Sequence, residues 1–188
     1  NTLARLGWSK GEKEIFYLDD LIKDFEINEV QKAGAIFDIS KLDFVNSQHM
    51  ANLTYEKFVI HLTPFLVSNN IDLNLHHDPK QLINSMRTSA NTLAEIALNL
   101  VCYFKDITEY NQKAIEKFIG NSDQVLVDLK EKLSQIEDWS EDVLDELLVK
   151  YRNKNELPIP KVNQPIRIAL TGSTNSPSLG MTLYLFDK

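Results

Sequence analysis

The chain has 188 residues, 43% of them hydrophobic and 25% charged, with a net charge of −7. These are the proportions of a soluble globular protein of one large domain or two to three small ones, and no apolar run approaches the roughly 20 residues of a membrane span. The acidic sum argues against a general nucleic-acid binder, which carries a basic face.

No signal peptide is present, and the one cysteine, Cys102, has no internal partner, so a reducing, cytoplasmic setting is expected. The first residue is Asn1 in mid-pattern rather than Met, which reads as a fragment.

Residues 1–8 read as the last turns of a helix ending near Gly7, with Leu3, Leu6 and Trp8 on its apolar side. Ser9-Lys10-Gly11 is a polar turn, and Leu18, Leu21, Ile22 and Phe25 repeat at helical spacing behind Asp19 and Asp20, which suit a first turn. A loop over Asn28–Ala35 carries Lys32, and Ile36-Phe37 leads to Ser40 as the expected N-cap. Leu42, Val45 and His49 then share one face.

Thr54 caps a helix through Phe58, Leu62, Phe65 and Leu66, in which Pro64 predicts a kink or an early end. Asn69–His77 is a polar connector. Asp78-Pro79 opens a helix with Leu82, Ile83 and Met86 on its buried side. Asn91 is the expected cap of Thr92–Phe104, with Glu95 placed for a capping box. Further helices are expected over Glu109–Ile119, Asp123–Ile136 and Ser140–Tyr151, then a linker over Asn153–Asn163 containing Pro158 and Pro160. Extended signals are weak, at Glu14–Phe16 and Ile166–Leu170, and the second also fits a helix.

The stretch from Pro165 to Leu179 has a different character. Arg167 precedes a short apolar run, Ile168–Leu170. A turn of small hydrogen-bonding residues follows, with Gly172 free to take positive φ and Pro177 suited to a helix's first turn, then an amphipathic segment, Met181–Phe186. A cation and small hydroxyls on a rigid corner suit a splayed nucleotide base, and suit a helix-capping loop equally well. Charge distribution adds to this. Residues 1–103 carry 9 Lys/Arg against 13 Asp/Glu, residues 104–147 carry 5 against 12, and residues 148–188 carry 6 against 2. The one net-positive section therefore contains this corner.

Six blocks in order carry a resemblance. They are Leu6-Gly7-Trp8-Ser9 with Glu14-Ile15-Phe16; Ile36 to Leu42 with Asn46; Thr92-Leu93-Ala94-Glu95 with Tyr103-Phe104; Asp138-Trp139; Pro165-Ile-Arg-Ile-Ala-Leu-Thr-Gly172; and Ser176-Pro177 with Leu179. Together they resemble the C-terminal region of bacterial glutamyl-tRNA synthetases. The resemblance implies a mainly α fold: a stem-contact remnant over 1–40 and two helical anticodon-binding subdomains, 41–120 and 121–188.

It implies a parent ligase that attaches glutamate to tRNA, with ATP and Mg²⁺ in a catalytic domain outside this chain and no cofactor within it, acting as a monomer. Residue by residue, Arg167 matches an arginine that contacts anticodon bases, and Ser176, Pro177 and Leu179 match the turn packed on them. Ser178 departs mildly from the usual Gly or Ala. Lys150 and Arg152 are companions to that site, and Ser9, Lys32 and Lys41 are candidates for the RNA backbone. Where family members commonly carry an arginine before the T-L-x-E block, this chain has Ser89, with Arg87 two positions earlier. Serine offers one weak group where arginine offers paired donors, so relaxed discrimination between glutamate and glutamine tRNAs is expected.

Two other readings fit the same residues: the helical anticodon-binding region of a class I lysyl-tRNA synthetase, and a helical protein-interaction module. Catalytic chemistry is not assembled. Neither H-I-G-H-like nor K-M-S-K-S-like strings nor a G-x-x-x-x-G-K-[ST] loop occurs. His76-His77-Asp78 reads as a solvated connector rather than a metal site, because adjacent histidines point different ways. Asp142, Asp145 and Glu146 read as a solvated helix face, and Cys102 as an inert buried thiol.

Overall fold

The structure, a computed structural model, describes all residues except 33, 35, 111, 121 and 122. Among the described residues it contains helices, turns and one isolated antiparallel bridge, Lys10 to Lys13, and no strand, as the mainly α expectation requires. Glu14–Phe16 is coil and Ile166–Leu170 is helix.

Aromatic rings hold the N-terminal piece together. Trp8 and Phe16 are 2% and 1% exposed, and the indole lies 5.2 Å from the Phe16 ring and 5.4 Å from Phe25. Its N–H donates to Glu29 Oε2 at 3.1 Å. Asn1 Oδ1 accepts from the Phe16 N–H at 2.8 Å and sits 3.1 Å from His49 Nε2, tying this piece to α2 (Ile39–Ala51). Helix α1 (Leu18–Asp24) has the expected acidic first turn. Its apolar residues depart from expectation: Leu18 and Ile22 are 72% and 74% exposed, because no element among the described residues covers them. Ile36, Phe37 and Phe44 are exposed as well.

At α2 the cap is Asp38, not Ser40; the Asp38 carboxylate accepts from the Ser40 N–H at 2.9 Å. Helix α3 (Tyr55–Ser68), capped by Thr54, runs past Pro64 instead of ending there. A proline inside a helix costs about 3 kcal/mol, while Phe58, Leu62 and Leu66, all buried on one stripe, each contribute roughly 1.5–3 kcal/mol. Packing therefore outweighs the broken hydrogen bond.

Helix α4 (Pro79–Met86) follows the pattern expected of it. Asp78 Oδ1 accepts from the Gln81 N–H at 3.0 Å, Pro79 takes the first position, and Leu82, Ile83 and Met86 are buried. For α5 (Leu93–Leu100) the cap is Thr92 rather than Asn91. Glu95 donates its N–H to Thr92 Oγ1 and accepts from the Asn91 N–H, so the carboxylate serves the residue outside the cap. A 3-10 turn, Val101–Tyr103, follows.

The expected helix over Glu109–Ile119 is shorter: α6 (Gln112–Ala114) widens into a π turn, Ile115–Ile119. Asn111, within the expected span, lies outside the described residues, as do positions 121 and 122 beside the expected subdomain boundary. Helices α7 (Asp123–Ser134) and α8 (Glu141–Lys154) follow. The linker is shorter than expected, since α9 spans Ile159–Thr171 and already includes Pro160. A proline in a helix's first turn loses no hydrogen bond, so Pro160 begins a helix where the sequence suggested a break.

Two apolar cores result. The first gathers Phe58, Leu62, Leu82, Ile96 and Leu100, the second Leu129, Leu144, Leu148, Val162 and Ile166. Helix α10 (Leu179–Phe186) serves both, giving Met181 and Leu185 to the first and Leu179 and Leu183 to the second. A helix apolar all round belongs inside. The expected amphipathic terminal segment is thus a shared central post. Trp139 fixes it from the second side, its indole N–H donating to the Leu183 carbonyl at 3.2 Å.

His76 fixes α10 from the first side, correcting the solvated-connector reading. The ring is 9% exposed; its Nε2 meets the Leu185 carbonyl at 2.8 Å, and its Nδ1 accepts from the Asp78 N–H at 3.0 Å. Those partners require a neutral ring with the proton on Nε2. His76 and His77 do not point apart but stack, with centroids 4.4 Å apart.

Burial pushes the His76 pKa below its ordinary 6.5. The unfolded chain therefore binds this proton more readily, and stability is complete above about pH 6.5 and falls as pH drops below it. Thermal melts from neutral pH toward about pH 5 are expected to show a steeper loss in the wild type than in His76→Gln, which cannot titrate. Equal slopes would place the acid sensitivity elsewhere.

Candidate nucleic-acid interface

The corner between α9 and α10 is built by local hydrogen bonds. Gly172 ends α9 in the left-handed region at φ 69°, its N–H bonded to the Ile168 carbonyl at 2.9 Å. A Cβ there would stand 3.1 Å from the Glu109 carbonyl oxygen and from Ile107 Cγ2, so the turn and the 107–109 segment press together. Thr171 Oγ1 accepts from the Ser173 N–H, and Ser173 Oγ from the Asn175 N–H. Ser178 caps α10 by accepting from the Met181 N–H at 3.1 Å. Pro177 precedes that cap instead of occupying the first helical turn.

Arg167 spans this corner. Its Nε donates to Ser176 Oγ at 2.7 Å and its Nη2 to the Pro177 carbonyl at 3.1 Å; the Ser176 hydroxyl is also 2.8 Å from Thr182 Oγ1. Among the described residues no carboxylate pairs with it, and Nη1 has no hydrogen-bond partner. The guanidinium is half-buried, and that desolvation lowers its pKa from the ordinary 12.5. A half-buried cation with neutral partners alone retains its attraction for an electron-rich ligand.

A cleft of about 370 Å³ opens beside this corner. Thr171, Ser173, Asn175 and Ser176 form one wall, with Leu98, Asn99, Cys102, Tyr103 and residues 105–109 opposite. Burial pushes the Cys102 thiol up to about 12, as suits an inert thiol, and its S–H faces the Asn99 carbonyl. The Tyr103 hydroxyl is buried without a hydrogen-bond partner among the described residues. Burial also raises its pKa, which keeps it protonated.

The other sequence candidates divide. Ser176 and Pro177 stand on the corner with Arg167, but Leu179 is 2% exposed and belongs to the second core, so its side chain offers no surface to a ligand. Arg87 is occupied: its Nη2 donates to the carbonyls of Met50, Ala51 and Leu53 at the end of α2, and its guanidinium lies 4.8 Å over the Phe58 ring. Ser89 Oγ accepts from Asn99 Nδ2 at 3.5 Å, which places Ser89 behind the cleft wall. Lys150 is exposed and pairs with Glu146 at 2.6 Å, nine residues and so about 14 Å along α8 from Glu141, which meets the corner at Ser178. Arg152 is half-buried; Ser9 and Lys32 are exposed on the N-terminal piece and Lys41 on α2, these three away from Arg167 in sequence and element.

The acidic face of α8 is not merely solvated. Glu141 Oε1 accepts from the Ser178 hydroxyl at 2.9 Å and Asp145 Oδ1 from the Gly180 N–H at 3.0 Å, two carboxylates at the start of α10 where the helix dipole favours them. Among the described residues no group of three or more His, Cys, Asp or Glu side chains is placed to hold a metal.

A family model described as an anticodon binding domain matches residues 57–188, well over half the chain. The chain belongs to the anticodon-binding domain family. Relatives agree along its whole length. A glutamate–tRNA ligase of Thermodesulfovibrio yellowstonii is 35% identical over 193 residues, and glutamate–tRNA ligase 1 of Alkalilimnicola ehrlichii is 31% identical over 189. All of this chain is covered in both matches, but only 42% and 40% of those relatives, so it spans about two fifths of their length. The crystal structure of a glutamate tRNA ligase from Elizabethkingia meningosepticum, in complex with its amino acid, superposes with a TM-score of 0.79 at 25% identity over 99% of this chain and 37% of its own.

The family model begins within α3, beyond the N-terminal piece, and includes the whole α9–α10 corner. No helix among the described residues is long and apolar enough to cross a membrane.

Proposed function

We propose that this chain is the tRNA-reading part of a glutamate–tRNA ligase and that the α9–α10 corner meets the anticodon. The carrying observation is Arg167, held by Ser176 and Pro177, desolvated and, among the described residues, without a counter-ion and with no partner on Nη1. The net-positive section, residues 148–188, places it on the one part of an acidic protein that favours RNA. The ligation itself, with ATP and Mg²⁺, belongs to protein outside these residues, and the exposed apolar side chains Leu18, Ile22, Ile36 and Phe37 suit contact with it. Cytoplasmic location and action as a monomer follow from the same reading.

Titrating tRNA into the chain at rising salt tests this. Affinity should fall on a log–log line as counterions are re-condensed on the phosphates. Salt-independent binding would instead favour an apolar protein partner. Relaxed choice between glutamate and glutamine tRNAs rests on Ser89, a single hydroxyl already engaged by Asn99. Charging of both tRNAs by the longer protein at comparable efficiency is the expected result; strict preference for the glutamate tRNA would remove this part of the reading.

A further inference from the structure

We infer that Thr182 is a positioning residue for RNA binding: its hydroxyl orients Ser176 so that Ser176 holds the Arg167 guanidinium in place. The inference rests on the anticodon reading above. Thr182 is 0% exposed and cannot touch RNA itself, so any effect it has on binding runs through the residues it holds.

Its place in α10 is unusual. The other buried residues of that helix are Leu179, Gly180, Met181, Leu183 and Leu185, and the helix is packed between two apolar cores. Valine has nearly the shape of threonine and brings no hydroxyl to desolvate, so packing alone favours valine at position 182. A hydroxyl sealed inside has to be matched by partners. Thr182 Oγ1 lies 2.8 Å from Ser176 Oγ and 2.9 Å from the Ser178 carbonyl, with the Pro177 carbonyl farther off at 3.4 Å.

Those distances order the donors. A guanidinium only donates, so Ser176 Oγ accepts from Arg167 Nε at 2.7 Å and still has its own proton to place. Two acceptors are in reach, Thr182 Oγ1 at 2.8 Å and the Pro177 carbonyl at 3.2 Å. Thr182 gives its proton to the Ser178 carbonyl, the back-bond of a helical threonine, which leaves its oxygen open to Ser176. The result is a one-way relay from Arg167 through Ser176 and Thr182 to Ser178, in which each bond polarises the next. It also leaves the Pro177 carbonyl to Arg167 Nη2, at 3.1 Å. Without the Thr182 hydroxyl, the Ser176 proton turns to that carbonyl and competes with Nη2. Both anchors of the guanidinium then weaken together. The helix itself is spared, because the Thr182 N–H still donates to the Ser178 carbonyl at 2.8 Å.

The test uses the 188-residue chain and anticodon stem–loop hairpins. Thr182→Val removes the hydroxyl and keeps the shape; Thr182→Ser keeps the hydroxyl. The valine variant should bind hairpins roughly two- to tenfold more weakly, the worth of one hydrogen bond, with the wild-type salt slope because no charge has changed. Thr182→Ser should restore binding to within about twofold of wild type. In an Arg167→Ala background, Thr182→Val should cost nothing further, because the residue it acts through is gone. In the free chain, NMR should show the Arg167 Nε proton exchanging with water faster in Thr182→Val than in wild type. Circular dichroism checks folding, and Thr182→Ala, which removes the hydroxyl without adding bulk, replaces a valine variant that does not fold.

Wild-type affinity in Thr182→Val, an equal loss in Thr182→Ser, or a loss that persists in full beside Arg167→Ala would each overturn the inference and leave the anticodon reading standing. Unchanged exchange at Arg167 Nε would do the same. No hairpin binding by the wild type at any salt would overturn both.

Discussion

Gly180→Ala is expected to destabilise the fold by about 2–4 kcal/mol, although alanine is the better helix former. A Cβ at this position would meet Asp145 Oδ1 at 2.4 Å and Cγ at 2.5 Å. The carboxylate must then swing away, which breaks its 3.0 Å bond to the Gly180 N–H and leaves a donor at the start of a nearly buried helix. A hydrogen bond to a charged group contributes roughly 1.5–3 kcal/mol, and forced overpacking costs about 1–3 more, against a gain of about 1 kcal/mol in helix propensity.

The pair can be separated by a double-mutant cycle. With Asp145→Ala in place the space is free, and adding Gly180→Ala should cost nothing or stabilise by up to about 1 kcal/mol. Denaturant midpoints of the four proteins measure the coupling. Additive costs would mean that the Asp145 carboxylate is not what excludes a side chain from position 180.

How much of this was legible depended on sequence distance. Asp78-Pro79 and Thr54 announced their helices because a cap acts on residues two or three positions away, and the buried row Leu82, Ile83 and Met86 followed from helical period alone. Proline was harder: it breaks a helix interior and starts a first turn equally well, so Pro160 suggested a linker where α9 begins. Helix α10 looked amphipathic because a single helix does not reveal that it has two cores to serve.

Charged and aromatic residues with distant partners were the least legible. His76 finds the Leu185 carbonyl, Asp145 the Gly180 N–H, and Arg87 the end of α2, each an element or more away. At the corner, Arg167 and Ser176 are only nine residues apart, and their place on one motif was readable where the hydrogen bond between them was not. The lining residues Asn99, Asp106 and Glu109 were not readable, because the cleft exists only where the 98–109 segment folds against the turn. The Tyr103-Phe104 block was the one sign in the sequence that this segment matters.

Arg167→Ala should weaken tRNA binding by about 1–3 kcal/mol, roughly five- to hundredfold, while changing fold stability far less. The two effects part because the guanidinium's internal contacts nearly balance. It gains hydrogen bonds to Ser176 Oγ and the Pro177 carbonyl, but gives up water on a half-buried cation with no carboxylate among the described residues to compensate. Truncation removes the gain and the cost together, and Ser176 keeps Thr182 Oγ1 as a partner at 2.8 Å.

Binding has no such compensation. With Nε and Nη2 pinned by the corner, Nη1 is the donor left without a partner among the described residues, and alanine offers none. Arg167→Lys separates charge from aim: the ammonium preserves attraction to the RNA, so the salt slope should stay near wild type, but it lacks the planar fork that orients Nη1, so most of the affinity loss should remain. Melting curves and hairpin titrations on the three proteins decide the matter. A large fall in melting temperature with unchanged affinity would make Arg167 a strut of the corner and move the RNA contact elsewhere.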